Sequence, residues 1–388
     1  MNILTLNAGS NSLKFEIVAV EPESGGFGRS LFAGSYDDIG KPQAVFRDYG
    51  NAAEALFGRI DRDIDRIAHR VVHGGDRFRA PVRITPEVVR QIEALEDLAP
   101  LHNASALRVI RAAQEKAPQL PSIAVFDTVF HQTIPEPAAL YPLPLDLAKR
   151  HKIRRYGFHG ISHRYLMLRY AQIAKRAPEE LNLITLHLEG GSSAAAIRRG
   201  ESVDTSMGFT PLEGLMMSTR CGDIDPAIVT YLMRKENLHA QGVEKLLNKE
   251  CGLWGVSAIS GDTRELRKQL SEPRAELALN MFCYRVRKYI GAYLAVLNGA
   301  SAVVFGGGIG ENTPLVRERI CENLSACGIV LDRQLNNETV DREGAITAPA
   351  SPIPVWVIPT REGLMMAQEA SKQNPEALAG GPALRTAS

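Results

Sequence analysis

The chain has 388 residues, 45% of them hydrophobic and 23% charged, with a formal net charge of +1 at pH 7. That length can bury a large core and suits two domains. The near-neutral balance gives no electrostatic reason to expect nucleic acid or an anionic membrane as a partner. Five cysteines, Cys221, Cys251, Cys283, Cys321 and Cys327, with no Cys-x-x-Cys pair, argue against a disulfide framework or a structural zinc site. They read as buried small apolar residues in a reducing compartment. No secretory leader is read, since Lys14 interrupts any apolar core of one.

The chain opens on an apolar run, Ile3-Leu4-Thr5-Leu6, a polar turn over 7–12, and a second apolar run over 15–20. Strand, Gly/Ser turn, strand reads as a hairpin. Residues 21–50 are polar and glycine-rich, as exposed strands and loops are, and 52–58 suit a helix. Residues 66–75 read as a strand running into Gly74-Gly75, with Arg70, His69 and His73 in an apolar setting. Thr85-Pro86 starts a helix, Thr85 as N-cap and Pro86 in its first turn, with Val88, Ile92, Leu95 and Leu98 on its apolar face. Residues 99–103 break that helix, and 105–117 form the next. Ser122-Ile123-Ala124-Val125-Phe126 is a buried strand ending on Asp127, where α/β folds place chemistry.

Pro135, Pro137, Pro142 and Pro144 make an extended connector and the expected domain crossing. The expected division is an N-terminal domain of 1–140, completed by a C-terminal helix at 364–373, a domain of 141–363, and a disordered Ala/Gly/Pro-rich tail at 374–388. His159 lies between Gly157 and Gly160 and faces solvent or a ligand, followed by a helix over 162–177. The second hairpin is Leu183-Ile184-Thr185-Leu186, a turn at Gly190-Gly191-Ser192-Ser193, and Ala194-Ala195-Ala196-Ile197. Its likeness to the first hairpin implies two related domains, each offering a phosphate-holding turn to a cleft between them. Asp225-Pro226 starts a helix, and 260–264 is a loop into another. Residues 274–297 form a long helix with Leu277, Met281, Tyr284 and Val286 among its apolar positions. The uncharged stretch 289–310 is long enough to span a bilayer. Asn298-Gly299 and Gly306-Gly307-Gly308 divide it into a helix, a buried strand and a glycine turn. Val355-Trp356-Val357-Ile358 is the last strand.

Three glycine turns thus follow apolar strands, at Gly9-Ser10, Gly190-Gly191-Ser192 and 306–310. None closes on Gly-Lys-Ser/Thr, and none fits the dinucleotide fingerprint, since Thr313 stands where a third glycine belongs. Together they point to a phosphate-cradling cleft. Phosphoryl transfer needs cations on the equatorial oxygens and a divalent metal held by carboxylates or amides. Arg70 and Arg220 beside glycine turns, with Asn7, Asp127 and Glu362, supply those types.

These segments carry a family resemblance. Leu6-Asn7-Ala8-Gly9-Ser10-Asn11-Ser12-Leu13-Lys14-Phe15 and His69-Arg70-Val71-Val72-His73-Gly74-Gly75 are similar to the first two motifs of the acetate and propionate kinase family. Residues 126–133, 154–163, 203–226, 308–312 and 360–362 match it in order. The resemblance implies the duplicated α/β fold of actin, hexokinase and Hsp70 ATPases. It implies that Arg70 and Arg220 grip the carboxylate and the phosphoryl group, that His159 donates to that group, and that Asp127 positions the reactants. Asn7 and Glu362 would stand near Mg²⁺ (or Mn²⁺). Val72, Leu101, Phe158 and Pro211 would line the acyl pocket. Ser10, Ser12, Lys14, His187, Gly190, Gly191, Asp262, Thr263, Arg264, Gly308, Ile309, Gly310 and Asn312 would face ATP or ADP. A cytoplasmic homodimer forming acetyl phosphate from acetate is the implied protein.

The chain departs from the pattern on the nucleotide side. Where the family usually has His-Leu-Gly-Asn-Gly, it has His187-Leu188-Glu189-Gly190-Gly191, and Thr263 replaces a bulky apolar residue. Asn11 replaces a serine and Ala104 a proline. Two other readings follow: the same acyl site with propionate, pyrophosphate or another nucleotide as substrate, and a non-enzymatic ATPase binding protein of the same fold. The second leaves Arg70 and Arg220 unexplained.

Overall fold

The computed structural model describes residues 1–9, 11–21, 26–41, 43–60, 62–95 and 100–373, with the backbone alone for 100–102. Ser10, Leu98, the Leu101 side chain and the tail 374–388 lie outside the described residues. The chain forms two compact units. Unit 1 is Met1–Val129 with the segment from Arg361, and unit 2 is Phe130–Thr360. The chain enters unit 2 at Phe130, ahead of the prolines expected to mark the crossing, and two of those prolines flank or enter the short helix Glu136–Ala139.

Unit 1 is built on β1 (Asn2–Ala8), β2 (Leu13–Ala19), β3 (Arg29–Tyr36), β4 (Arg66–Val71), β5 (Val82–Arg83) and β6 (Ser122–Phe126), in the order β3-β2-β1-β4-β6-β5. Unit 2 uses β7 (Asn182–Leu188), β8 (Ser192–Arg198), β9 (Glu201–Thr205), β10 (Ala302–Gly306), β11 (Gly344–Ala345) and β12 (Val355–Val357), in the order β11-β12-β10-β7-β8-β9. Read from the other edge, the second order repeats the first strand for strand. The senses repeat too: β1 runs antiparallel to β2 and parallel to β4, as β7 does to β8 and β10. Both second strands slip register at the same place, between Ile17 and Val18 and between Ala196 and Ile197. The duplication read from two hairpins therefore extends over both sheets.

The central parallel strands β6 and β10 are buried along their whole length, which is why they read as continuous apolar runs. Thr85 caps the helix Pro86–Glu93, its Oγ1 accepting from the Val88 N–H at 3.3 Å. The next helix, Pro100–Lys116, begins five residues before the expected start. Pro100 is harmless there, because a helix has no use for its first N–H groups. Asn103 turns its amide away from the helix and onto His73, accepting from its N–H at 3.0 Å and donating to its carbonyl at 3.1 Å. The expected glycine turn after β10 is a helix, Gly307–Asn312. Gly307 has φ of 75°, and a Cβ there would lie 2.6 Å from the Leu188 carbonyl oxygen, so conformation and space both demand glycine.

Two buried arginines tie helix ends down through carbonyls. Arg66 on β4 donates to the carbonyls of Ala370 and Gln373, at the end of the last helix, Glu362–Ser371. Arg317 has no exposed surface. Its guanidinium donates to the carbonyls of Gly310, Glu311, Asn336 and Thr339 and to the Asn336 side chain. The helix Pro273–Leu297 has two apolar faces. Ala275, Leu279, Phe282, Val286 and Ile290 enter the core, while Leu277, Met281 and Tyr284 are exposed. All five cysteines are free, but only Cys283 and Cys321 are buried; Cys221 and Cys251 are partly exposed and Cys327 fully so, which corrects the expectation of five core residues. Among the described residues no helix is long and apolar enough to cross a membrane.

Candidate active site

In unit 1 the sequence-derived candidates meet at the C-terminal ends of three adjacent parallel strands. Asn7 and Arg70 are the next-to-last residues of β1 and β4, and Asp127 follows β6. The Arg70 guanidinium forks onto Asp127, Nε to Oδ1 at 2.9 Å and Nη2 to Oδ2 at 2.6 Å. Its Nη1 donates to Asn7 Oδ1 at 3.0 Å and lies 3.9 Å from Glu362. Asn7 Nδ2 donates to Glu362 Oε2 at 2.8 Å. Asp127 is fully buried, and both its oxygens are engaged by Arg70. One guanidinium faces two carboxylates, so the group carries a net negative charge, with Glu362 at its more exposed edge. Lys14 stands opposite Asn7 in the β1–β2 pairing and is exposed, and the Ser12 carbonyl closes the turn by accepting from Gly9. Val72 is buried just beyond β4.

Unit 2 holds the second group. His159 precedes the helix Gly160–Ala174 with φ of 56°, a left-handed conformation that costs a non-glycine residue roughly 1 kcal/mol or more. Its Nδ1 pairs with Ser193 Oγ at 2.9 Å, and its ring centroid lies 4.3 Å from that of His187. His187 pairs through Nδ1 with Ser162 Oγ at 2.7 Å. Arg220 donates from Nη1 to the Pro211 carbonyl at 2.8 Å. No carboxylate pairs with it among the described residues, and burial alone pushes its guanidinium down to about 10, still charged at neutral pH. Gly191 keeps the space between the two side chains open: a Cβ there would lie 3.1 Å from Arg220 Nη2 and 3.5 Å from His159 Nε2. Cationic and imidazole donors thus converge on a spot that a methyl group would fill, which is the arrangement an oxyanion needs. Phe158, beside His159, is buried.

The remaining candidates lie in unit 2 around the glycine turns. Glu189 and Gly191 close the β7–β8 turn, and the Gly190 carbonyl accepts from Ser218. The departure at Glu189 has a partner: its Oε2 lies 3.6 Å from His187 Nε2. Gly308 and Asn312 are exposed, Ile309 is half-buried, and Gly310 packs against Phe305 and Leu188. Asp262 caps the helix Thr263–Arg267 and pairs with Arg264 at 2.6 Å, while Thr263 is buried.

The acetokinase family model matches residues 2–368. The chain belongs to the acetokinase family. It is 44% identical to an acetate kinase of Caldicellulosiruptor saccharolyticus over 96% of this chain and 99% of that one. The crystal structure of Porphyromonas gingivalis acetate kinase superposes with a TM-score of 0.85 at 38% identity, covering 95% of this chain and 98% of that one. A propionate kinase from Francisella tularensis gives 0.86 at 37% identity over the same shares.

Several residues of this acetokinase site were not read from the sequence. Ser193, Ser162, Thr185 and His163 bond to the histidines, Asn103 holds the backbone at His73, and the buried Glu311 accepts from both the N–H and hydroxyl of Thr360. Serines and threonines flanking a Gly/Ser turn look like turn residues, and only the fold aims them at imidazoles.

The buried histidines give a pH prediction. Burial pushes His131 down to about 4 and His69 down to about 3. A neutral buried histidine leaves stability complete above about 6.5, the unfolded value. Stability then falls as pH drops toward 4 for His131 and toward 3 for His69, by about 1.4 kcal/mol per pH unit for each. Urea unfolding between pH 6.5 and 5 should show the loss, and His131→Gln should make it shallower by about 1.4 kcal/mol per pH unit, leaving the His69 share. A stability independent of pH in that window would contradict this assignment.

Proposed function

We propose that the chain is an acetate kinase, reversibly transferring the γ-phosphoryl group of ATP to acetate. The observation that carries the reading is the Arg220 guanidinium, held beside His159 and Gly191 with no carboxylate partner among the described residues. An acetate carboxylate oxygen attacks the γ-phosphorus in line. The bond from that phosphorus to the β,γ-bridging oxygen breaks, and its electron pair leaves with ADP. Little covalent work falls to the protein, so its residues act by position and charge. Arg220 and Arg70 hold carboxylate and phosphoryl oxygens, and His159 donates to the transferring group. Asp127 is the orienting group for Arg70, since both of its oxygens are occupied by that task. Phe158 and Pro211 of unit 2 take the acyl methyl group, and His187, Gly190 and Gly191 of the same unit approach the phosphates. Asp262, Thr263, Arg264, Gly308, Ile309, Gly310 and Asn312 face the nucleotide.

The unit 1 group fits Mg²⁺. It has a net negative charge, one carboxylate at its exposed edge and a neighbouring amide, which suits a hard cation that keeps waters and binds chiefly through phosphate. Glu362 and Asn7 would hold it, and when bound it neutralises charge on the phosphate oxygens. The five free cysteines suit a reducing cytoplasm.

One extra methylene in an apolar pocket is worth about 1–3 kcal/mol, so propionate is a second substrate. A second reading changes the donor to pyrophosphate. The Glu189 carboxylate, 3.6 Å from His187, favours it, standing next to Gly190, where the family usually has an amide donor. Trapping the acyl phosphate as its hydroxamate tests both. Acetate with ATP should give product, and Arg220→Ala should lower kcat at least about a hundredfold. Product with pyrophosphate and not ATP would move the reading to the second donor, and no acyl phosphate with any donor would overturn both.

We further propose a homodimer. Leu277, Met281 and Tyr284 recur at helical spacing as one exposed apolar stripe. Sedimentation should give twice the chain mass at micromolar concentration, and Tyr284→Arg should give monomers. A monomeric wild type would refute it.

A further inference from the structure

We propose that His163 and Thr185 set the tautomer of His159 through the Ser193 hydroxyl, so that His159 presents an Nε2–H donor while its ring is neutral. The inference rests on the acetate kinase reading and concerns positioning residues that touch no substrate. His159 and His163 lie one helical turn apart, with the His163 N–H bonded to the His159 carbonyl at 2.9 Å. The helix they begin faces the β7–β8 hairpin. There Ser193 stands directly opposite His187 in the strand pairing, and Thr185 lies two residues before His187 on the same face. The side chains form one chain of bonds. Thr185 Oγ1 meets His163 Nδ1 at 2.8 Å, His163 Nε2 meets Ser193 Oγ at 2.8 Å, and Ser193 Oγ meets His159 Nδ1 at 2.9 Å.

The protons on that chain can be counted. His163 is fully buried and burial holds it neutral, so one ring nitrogen carries a proton and the other accepts. Ser193 has a single proton to place between two rings. In one arrangement His163 donates from Nδ1 to Thr185 and Ser193 donates to His163 Nε2. His159 Nδ1 must then donate to Ser193, and the neutral ring has a bare Nε2. In the other, Thr185 donates to His163 Nδ1, His163 Nε2 donates to Ser193, and Ser193 donates to His159 Nδ1. Only the second leaves the neutral His159 an N–H at Nε2, the atom that faces the space kept open by Gly191 beside Arg220. A third arrangement, with Ser193 accepting from both rings, would leave its own proton without an acceptor, since the fully buried Ser193 Oγ meets only these two rings among the described residues.

The charged surroundings favour the neutral ring. His159 faces the His187 ring at 4.3 Å and shares the Gly191 space with Arg220. Glu189 Oε2 lies 3.6 Å from His187 Nε2. On the far side, the His131 ring lies 5.7 Å from that of His163 and is itself held neutral by burial, with Arg155 adding to the effect. A positive charge on His159 would sit against the Arg220 guanidinium, and like charges disfavour each other.

The test reads tautomers directly. Wild type, Ser193→Ala and Thr185→Val, each labelled with ¹⁵N-histidine, are compared by long-range ¹H–¹⁵N spectra at pH 7.5 without substrate. The wild type should show both His159 and His163 as neutral Nε2–H tautomers. Ser193→Ala should shift His159 toward the Nδ1–H form or a mixture. Thr185→Val, which removes a hydroxyl far from the reacting atoms, should shift His163 and carry His159 with it. In both variants kcat should fall about tenfold or more, with KM for acetate and ATP within about twofold of wild type, and Thr185→Ser should restore kcat. If Ser193→Ala does not fold, Thr185→Val decides alone. A wild-type His159 found charged or as the Nδ1–H tautomer, or His159 signals unmoved in the variants, would overturn the proposal. The spectra are taken on the free protein. A wild type that forms no acyl phosphate therefore sinks the functional reading, while the proton chain is judged separately.

Discussion

A guanidinium held in a protein interior without a counter-charge destabilises the state that holds it. Arg220, which keeps part of its surface exposed, comes close to such a group: among the described residues its guanidinium donates to the Pro211 carbonyl alone, and desolvation lowers its affinity for its own proton. The other inward arginines are compensated. Arg70 is forked onto Asp127, Arg155 pairs with Glu213, and Arg66 and Arg317 are wrapped in carbonyls. The turn beside Arg220 is built to leave the space at its tip open, and His159 is bent into a left-handed conformation to reach the same space. Strain, missing side chain and unpaired charge coincide at one place in unit 2. Each costs stability, and an anionic ligand offsets all three.

The duplication explains why the two units offer related ingredients. Each sheet starts with an antiparallel hairpin and continues with parallel strands whose ends face the same way. Unit 1 uses those ends for Asn7, Arg70 and Asp127, a closed group with net negative charge. Unit 2 places a glycine turn between β7 and β8 and a second glycine run after β10, pressed together at Gly307 and Leu188. The same scaffold thus supplies a group of net negative charge in one unit and a cluster of arginine and histidine side chains in the other.

Much of this was legible in the chain. Apolar runs ending in glycine or in a polar residue mark strands whose C-terminal ends carry chemistry, and Asn7, Arg70 and Asp127 all stand at such ends. Local capping chemistry located Thr85, and the loop over 260–264 was read as leading into the helix that Asp262 caps. What was not legible depends on partners distant in sequence. Asn103 serves His73 from 30 residues away, Glu311 serves Thr360 from 49, and Ser193 joins two histidines 30 and 34 residues before it. Pro100 and Asn103 looked like a helix break because proline and asparagine usually are one. There the first-turn position and a tertiary bond reversed the rule. Leu277, Met281 and Tyr284 had helical spacing but not their side: periodicity shows that a face is apolar and not what covers it.

The central claim is that Arg220 is an uncompensated cation awaiting an oxyanion, and thermal unfolding of Arg220→Met with and without acetyl phosphate tests it most directly. The account predicts that the variant melts no lower than wild type without ligand, because a buried charge has been removed. It also predicts that acetyl phosphate raises the melting temperature of wild type and not of the variant. A variant that melts well below wild type, yet is still stabilised by acetyl phosphate, would contradict it.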